Sequence, residues 1–368
     1  MICKRCLLTD KNRNVSFKEN GLCNFCTSYD KNKTVLTDFS GLNRALNQRI
    51  KKIKSTNHPK YDCIVPLSGG KDSSYILYKI RKTHGLRILA ITCDNGFLNK
   101  DSIKNAEVLC KKLDVDHLYY KPDWNTVKRF YGAIFCEMGE ICEGCMAIIW
   151  IYIFKFAINN RIPAVIIGES RDQIFGGAFT AHLGMVTDNY DNLIKNMPQQ
   201  GFYWKSYYKK LFKMINNHVE KYFSKDSAIK EIFLFPFEKI TKSQIPDILP
   251  YFFFKKYNEE KIIQTLETTG IWKNLKGHGL ASHPDCSFHT LASIPINHIP
   301  HLSVFIREKT ISRKKAAEDL LSKAIVFTST DYYGLLYKLL KKLGLTLKDI
   351  KDKKWYKYWR IRRNLRLD

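Results

Sequence analysis

No unbroken apolar run in this chain is as long as a bilayer-spanning helix. The longest run, Met146 to Phe154, is broken by Lys155, whereas a spanning helix needs about 20 apolar residues. The run reads as a buried core helix, and no transmembrane segment is expected. The N-terminus also lacks the apolar core of a secretory signal, because Met1-Ile2-Cys3-Lys4 leads straight into a cysteine motif. A cytoplasmic location follows as the expectation. There, eleven cysteines are poor material for a disulfide framework, and paired spacing points to metal or redox chemistry. No internal repeat is visible. Acidic side chains are scarce too: Asp plus Glu number 35 against 61 Lys plus Arg, a formal net charge of +26. Such a balance suits polyanionic partners such as nucleic acid, nucleotide-linked substrates, an acidic protein or an anionic membrane surface. It equally fits a lysine excess spread along the chain. The sharpest basic cluster is Lys351 to Arg366, where Trp355, Tyr356, Tyr358 and Trp359 interrupt the Lys and Arg residues. Those aromatics could stack on bases, sit at a membrane interface, or pack on the body of the protein.

The 368 residues are 45% hydrophobic and 13% aromatic, which excludes wholesale disorder and allows two or three domains. Residues 1–35 read as a small metal module and 36–60 as a connecting helix. From Tyr61 short apolar runs (Cys63–Leu67, Ile88–Thr92, His117–Tyr120, Ala164–Ile167) alternate with helical patterns. That alternation predicts an α/β fold with βαβ units and a parallel sheet. This core is expected over 61–290, with a helical insertion near 180–232. A further strand is expected over Ile232–Phe237 and a helix over Ser243–Phe252. Residues 291–368 read as a basic helical region, with Ser312 capping a helix.

The most informative segment is Ser68-Gly69-Gly70-Lys71-Asp72-Ser73, between a strand and a helix. Two glycines let the backbone turn tightly, the following helix adds its positive end, and the hydroxyls and Lys71 complete a nest for polyphosphate. It lacks the spacing of a Walker A loop. Asp72 could coordinate magnesium or orient the loop.

Cys3-Lys4-Arg5-Cys6 and Cys23-Asn24-Phe25-Cys26 are two CxxC pairs separated by 16 residues. Four thiolates at that spacing suit a closed structural zinc site. A third pair, Cys142-Glu143-Gly144-Cys145, has no CxxC partner; Cys136, Cys286, His283 and His289 are candidate completions. A CxxC with one distant cysteine resembles the arrangement in sulfur-inserting PP-loop enzymes, and that resemblance implies an iron–sulfur cluster or a catalytic thiol at Cys142, Cys145 and Cys286; a second zinc or buried thiols are the alternatives. Cys63, Cys93 and Cys110 fit core positions and are expected to be inert.

The hexapeptide resembles the pyrophosphate loop of the PP-loop superfamily, the adenine nucleotide alpha hydrolase-like fold, whose members cleave ATP between the alpha and beta phosphates. The resemblance implies that Ser68, Gly69, Gly70, Lys71, Asp72 and Ser73 hold the departing pyrophosphate. Lys71, Asp72 and Ser73 are then the catalytic candidates, with Cys142 and Cys145 beside them. Thr92, Asp94, Gly168 and Glu169, at the ends of later strands, would complete the ATP site with Mg2+. Over most of residues 1–180, the opening Cys-Lys-Arg-Cys, the segment Phe17 to Cys26, and Tyr61 to Ser73 look like the N-acetyl sugar amidotransferase family of surface-polysaccharide pathways. Gly168-Glu169 followed by Gly176-Gly177, and Arg307 to Ala317, are similar to it as well. Ser170 and Phe175 stand where that family has Asn and Tyr.

The implied reaction adenylates an N-acetyl amide oxygen and replaces it with nitrogen, giving an acetamidino sugar. No glutaminase motif is evident in the chain, so a separate glutaminase supplying ammonia is an expected partner, with an anionic or nucleotide-linked sugar as substrate. The alternative is a thiolating PP-loop enzyme acting on tRNA or a small molecule, which the Asp285-Cys286-Ser287-Phe288-His289 stretch resembles. A non-catalytic nucleic-acid-binding protein is the third reading, and the intact loop argues against it.

Overall fold

The computed structural model describes residues 1–12, 14–56, 60–139, 141–176, 190–196, 208–270, 272–274, 295–327 and 330–356. Two helices open the chain, α1 (Asn24–Thr37) and α2 (Phe39–Lys54). The central unit then alternates β1 (Cys63–Pro66), α3 (Lys71–Lys79), β2 (Ile88–Cys93), α4 (Lys100–Leu113) and β3 (Asp116–Tyr120). It continues through α5 (Trp124–Met138), α6 (Cys142–Asn159), β4 (Ala164–Ile167) and α7 (Arg171–Gly176). Next come α8 (Tyr190–Asn196), α9 (Lys209–Phe223), α10 (Ser227–Phe233), β5 (Asp247–Pro250) and α11 (Glu259–Glu267). The C-terminal region is helical: α12 (Pro295–Arg307), α13 (Arg313–Phe327), α14 (Thr330–Leu343) and the short α15 (Leu347–Ile350).

The five strands form one parallel sheet in the order β3-β2-β1-β4-β5. Its register pairs Val65 with Ala90, Ile91 with Leu118, Ile64 with Val165 and Ile166 with Leu249. Every residue of β2 and β4 is buried. Central strands covered by helices on both faces have no solvent side, so they are apolar throughout instead of alternating. β3 lies at an edge and is only partly covered; Asp116 and Tyr119 are exposed. The chain builds outward from β1 through β2 to β3, then returns to β4 on the other side. The direction of winding therefore reverses between β1 and β4. In open parallel sheets the crevice outside the carboxyl ends of the strands at such a reversal is where ligands bind.

Two sequence expectations are corrected. Residues 232–237 do not form a strand: Ile232 and Phe233 finish α10, and the edge strand is β5. The helix expected over Ser243–Phe252 is also absent. Pro246 and Pro250 flank Asp247-Ile248-Leu249, and a proline inside a helix removes a ladder bond and clashes with the preceding turn. On the outer strand that same deficiency is tolerated.

α6 is the one helix among the described residues with the length and apolarity to cross a bilayer. Ala147, Ile148, Ile151, Ile153, Phe154 and Ala157 are fully buried, and it packs against α9, α10, β1 and β2. This matches the expected core helix. It begins at Cys142, so the third CxxC occupies its first turn. At the other end of the chain Ser312 accepts from the Lys315 amide at 3.1 Å and caps α13, as the sequence predicts. Trp355 donates to the Cys136 carbonyl at 3.1 Å and packs edge-on against Phe135, and Tyr356 is buried. These two aromatics pack on the body; Tyr358, Trp359 and the remaining basic tail lie outside the described residues.

Candidate functional site

The loop after β1 sits at the carboxyl edge, beside the winding reversal. Gly69 adopts φ +79°, and a Cβ there would lie 1.9 Å from the Ser102 carbonyl oxygen. Only glycine fits: the left-handed conformation and the close approach of α4 both exclude a side chain. The Gly69 carbonyl is held from two sides, by Trp272 Nε1 at 3.0 Å and Asn105 Nδ2 at 3.3 Å. Asn105 also exchanges hydrogen bonds with the backbone of Lys273 at 2.9 and 3.0 Å. A distant segment thus braces the outer side of the loop. On its inner side Ser68 Oγ and Ser73 Oγ are 3.1 Å apart, and Ser73 Oγ accepts from the Ser68 amide at 3.2 Å. Gly70 is the N-cap of α3 and offers no side chain to the first turn. Among the described residues no side chain caps the first amides of that helix, and an uncapped helix start is the usual basis of an anion site.

Lys71 and Asp72 are joined at 2.9 Å, Lys71 reaches Glu259 at 3.5 Å, and Tyr257 donates to the other Asp72 oxygen at 3.0 Å. Burial works against the Lys71 charge, but Asp72, Tyr257 and Glu259 outweigh it and hold its pKa above the ordinary lysine value. Burial raises Asp72, and Lys71 and Tyr257 offset this only in part. Both Asp72 oxygens are thus engaged by protein groups. Across the reversal, a Cβ on Gly168 would meet Ile76 Cδ1 at 3.3 Å and the Ser73 amide nitrogen at 3.6 Å. The absent side chain lets the end of β4 lie directly against the start of α3.

Glu169 follows, buried, accepting from Tyr208 at 3.2 Å. Burial pushes its pKa up to about 8, with Tyr208 pulling the other way. The folded chain then keeps a proton that the unfolded chain releases near the ordinary value of 4.5. Stability is therefore full below that value and is lost as pH rises through about 8. Glu169→Gln should remove this loss, so thermal melts of the variant and the parent should separate in the variant's favour with rising pH. Melts that shift in parallel at every pH would contradict the assignment.

Thr92 is buried, and its hydroxyl donates to the Leu67 carbonyl at 2.7 Å. With that proton committed, His117 Nε2, 2.8 Å away, is the donor to Thr92 Oγ1. The threonine thus ties β2 to the base of the loop. Asp94 accepts from the Gly96 amide at 2.9 Å and from Tyr119 at 2.7 Å, with Lys121 at 3.7 Å. Lys342 of α14 donates to the Gly96 carbonyl and lies over the rings of Phe97 (4.3 Å) and Trp124 (5.2 Å). The C-terminal helices thereby reach the loop that follows β2. None of Tyr257, Trp272, Asn105 and Lys342 carries a local motif; sequence reasoning missed them because only the fold brings them to the edge.

Cys145 lies on the same edge, where Asn95 Nδ2 is 2.8 Å from its sulfur. Cys142 is three residues earlier, in the same first turn. Among the described residues neither Cys136 nor another side chain joins them in a group of three metal-ligating atoms. Cys286, His283 and His289 lie outside the described residues, as does Gly177. Cys63, Cys93 and Cys110 are buried core thiols as expected, and burial pushes Cys110 up to about 12.

Cys3, Cys6, Cys23 and Cys26 form the one metal-competent cluster found among the described residues. All four are buried, with their sulfurs within 4.8 Å of one another. Cys3 to Cys26 is 3.8 Å and Cys6 to Cys23 is 3.7 Å. Those separations are far too long for disulfides. They match the edge of a tetrahedron with metal–sulfur bonds of about 2.3 Å, which is about 3.8 Å. The Cys23 amide donates to Cys3 Sγ at 3.4 Å, and Arg5 pairs with Asp30 at 2.7 Å beside the module. The donor set fits a single tetrahedral ion in a zinc-ribbon-like module.

No family model matches the chain. Over 151 residues, 40% of the chain, it is 27% identical to an uncharacterized protein of Methanocaldococcus jannaschii, and it spans 52% of that relative's length. Solved structures that it resembles include the NH3-dependent NAD synthetase of Campylobacter jejuni (14% identity, 53% of this chain, 92% of that one, TM-score 0.31). Another is the U34-tRNA thiolase NcsA of Methanococcus maripaludis with its [4Fe-4S] cluster (14%, 95% and 91%, TM-score 0.38). A third is the NMN synthetase of Francisella tularensis (15%, 63% and 87%, TM-score 0.33). At these scores the likenesses place the chain in no family.

Proposed function

We propose that the chain is an AMP-forming ATP pyrophosphatase of the PP-loop type, which activates a carbonyl oxygen as an adenylate. The observation that carries this is the Ser68–Ser73 loop at the winding reversal, with an uncapped helix start and two serine hydroxyls turned toward each other. A polyphosphate seated there meets amides, hydroxyls and the Lys71 ammonium together. The alpha phosphorus would face the crevice between β1 and β4, rimmed by Gly168 and Glu169. An acceptor oxygen attacks that phosphorus, and the bond to the beta phosphate breaks. Pyrophosphate leaves into donors fixed before the reaction begins, so charge develops where it is already met. Glu169, whose pKa burial raises, can in its protonated form donate a hydrogen bond to acceptor or nucleotide. Magnesium would arrive with the nucleotide phosphates and neutralise part of their charge.

For the second half-reaction we propose nitrogen transfer to an N-acetyl sugar. Ammonia adds to the adenylated imidate carbon, AMP leaves with the former amide oxygen, and an amidine remains. The resemblance over residues 1–180 supports this reading, and the net charge of +26 suits an anionic or nucleotide-linked sugar. A partner glutaminase would deliver ammonia unprotonated. Zinc is the proposed occupant of the Cys3, Cys6, Cys23 and Cys26 centre. A second reading, sulfur insertion into tRNA or a small molecule, is favoured by one observation. Cys142 and Cys145 sit in the first turn of α6, with Cys145 against Asn95. There they could carry sulfur or, with Cys286, a cluster.

Lys71→Ala and Ser73→Ala should each keep the fold and slow pyrophosphate release by about two orders of magnitude, the usual loss for one transition-state donor. Unchanged rates in both would remove the loop from the reaction. Mass spectrometry of N-acetyl sugars incubated with ATP and isotopically labelled ammonium separates the two second steps. Gain of labelled nitrogen with loss of oxygen supports amidine formation. Sulfur gained by tRNA from a sulfide donor, with no nitrogen entering any sugar, replaces it with thiolation.

A further inference from the structure

Arg307 is the last residue of α12. Its side chain is 2% exposed. Nε donates to the Tyr190 hydroxyl at 3.0 Å, and the guanidinium lies 5.6 Å from that ring's centroid. Nη1 and Nη2 are both buried with no hydrogen-bond partner among the described residues. A buried cation so poorly matched is costly unless a negative charge faces it. The groups near enough to act on it electrostatically include Tyr190, Cys6 and Cys26 of the four-cysteine cluster, and Glu308, which is itself paired with Arg171.

The surrounding contacts bind the same two parts together. The Leu7 amide, next to Cys6, donates to Ser303 Oγ of α12 at 3.2 Å. Leu7 itself packs with Leu302, Ile306 and Ala316. Arg313, at the start of α13, donates to the Cys6 carbonyl at 3.3 Å and the Cys3 carbonyl at 3.2 Å. The α12–α13 hairpin therefore grips the first knuckle. The same helix, α12, packs on α7, and His301 meets Asp172 at 3.4 Å while Glu308, just beyond α12, meets Arg171 at 3.4 Å. α7 directly follows Glu169 and Ser170 at the carboxyl edge of the sheet.

Four thiolates around a divalent ion carry two net negative charges. We propose that Arg307 is the buried counter-charge of this loaded centre, so that metal binding and the docking of α12 on α7 are one coupled event. Rigidity at the Glu169 edge then depends on a metal held in another module. The inference rests on the metal reading of the four cysteines, and it assigns Arg307 a positioning role, with no contact to substrate.

The test uses the full-length protein with zinc alone as probe. Zinc affinity is measured by competition with a chromogenic chelator for the parent, Arg307→Met and Arg307→Lys. Loss of a group that tunes a metal site from outside its ligands typically costs about tenfold or more in affinity. Arg307→Met should show that loss, while its metal-free form melts no lower than the metal-free parent, because the unmatched charge has gone. Arg307→Lys should recover most of the affinity. Zinc should slow hydrogen exchange in α7 and α12 of the parent, and much less in Arg307→Met. Equal zinc affinity in parent and Arg307→Met, with equal protection of α7, overturns the proposal and leaves the metal centre standing. A parent that binds no zinc overturns the centre itself. If Arg307→Met does not fold, the lysine variant decides. Affinity within about threefold of the parent supports the counter-charge, and a tenfold loss despite a retained charge overturns it.

Discussion

Gly69→Ala should nearly abolish ATP turnover. Its Cβ would be placed 1.9 Å from the Ser102 carbonyl oxygen and 2.6 Å from the carbonyl carbon, both backbone atoms of α4. No side-chain rotation relieves that overlap, so loop or helix must move. The φ of +79° adds the penalty of a left-handed conformation, about 1–2 kcal/mol for an L-residue. A total loss of about 2–4 kcal/mol in stability is expected. The loss in rate should be larger, because displacing a phosphate loop by about 1 Å costs on the order of a hundredfold. Gly334→Ala is the control. Gly334 lies exposed on α14, and a Cβ added there would meet nothing within 4 Å. Alanine should leave turnover unchanged and add up to about 1 kcal/mol of helix stability. Steady-state pyrophosphate release and thermal melts read both variants. Full activity in Gly69→Ala would show that the loop geometry is irrelevant to the reaction.

Cys6→Ser should lose the metal of the N-terminal module. A closed tetrahedral site has no spare ligand, and a short segment cannot build a core of its own. The buried cluster of the module consists of Cys3, Cys6, Leu8, Cys23, Phe25 and Cys26, so four of its six members are the ligands themselves. Without the ion those residues have little else to hold them. Metal content should fall by one equivalent, and the segment up to the start of α1 should become sensitive to protease. Because Leu7 and Arg313 join the module to α12 and α13, cleavage should extend into the C-terminal helices. Cys110→Ala, in the core on α4, should retain the metal. A Cys6→Ser protein with full metal content and unchanged proteolysis would end the structural-metal account.

The strand-loop-helix unit around Ser68 and the paired cysteines are legible because both are local. Each packs its chemistry into a few consecutive residues whose backbone geometry and function coincide. The central strands are equally plain, since burial on both faces makes them apolar throughout. The edge strand β5 is hidden by its own composition: Pro246, Pro250 and the aromatic run Tyr251 to Phe254 mask a four-residue strand that the sheet alone stabilises. Tyr257, Trp272 and Asn105 could not be read as site residues. Their roles arise from closing the fold around Gly69 and Asp72, and no spacing in the chain records that. Thr92 shows a subtler case. Its position at a strand end is clear from sequence, while the commitment of its hydroxyl to Leu67 and His117 is a matter of packing.

Analysis of the nucleotide products by phosphorus NMR, with ATP and an N-acetyl sugar or tRNA acceptor, tests the central claim most directly. The account predicts AMP and pyrophosphate in equal amounts, both lost in Lys71→Ala and Ser73→Ala. ADP and inorganic phosphate as the products, formed at the same rate in those variants, would contradict it.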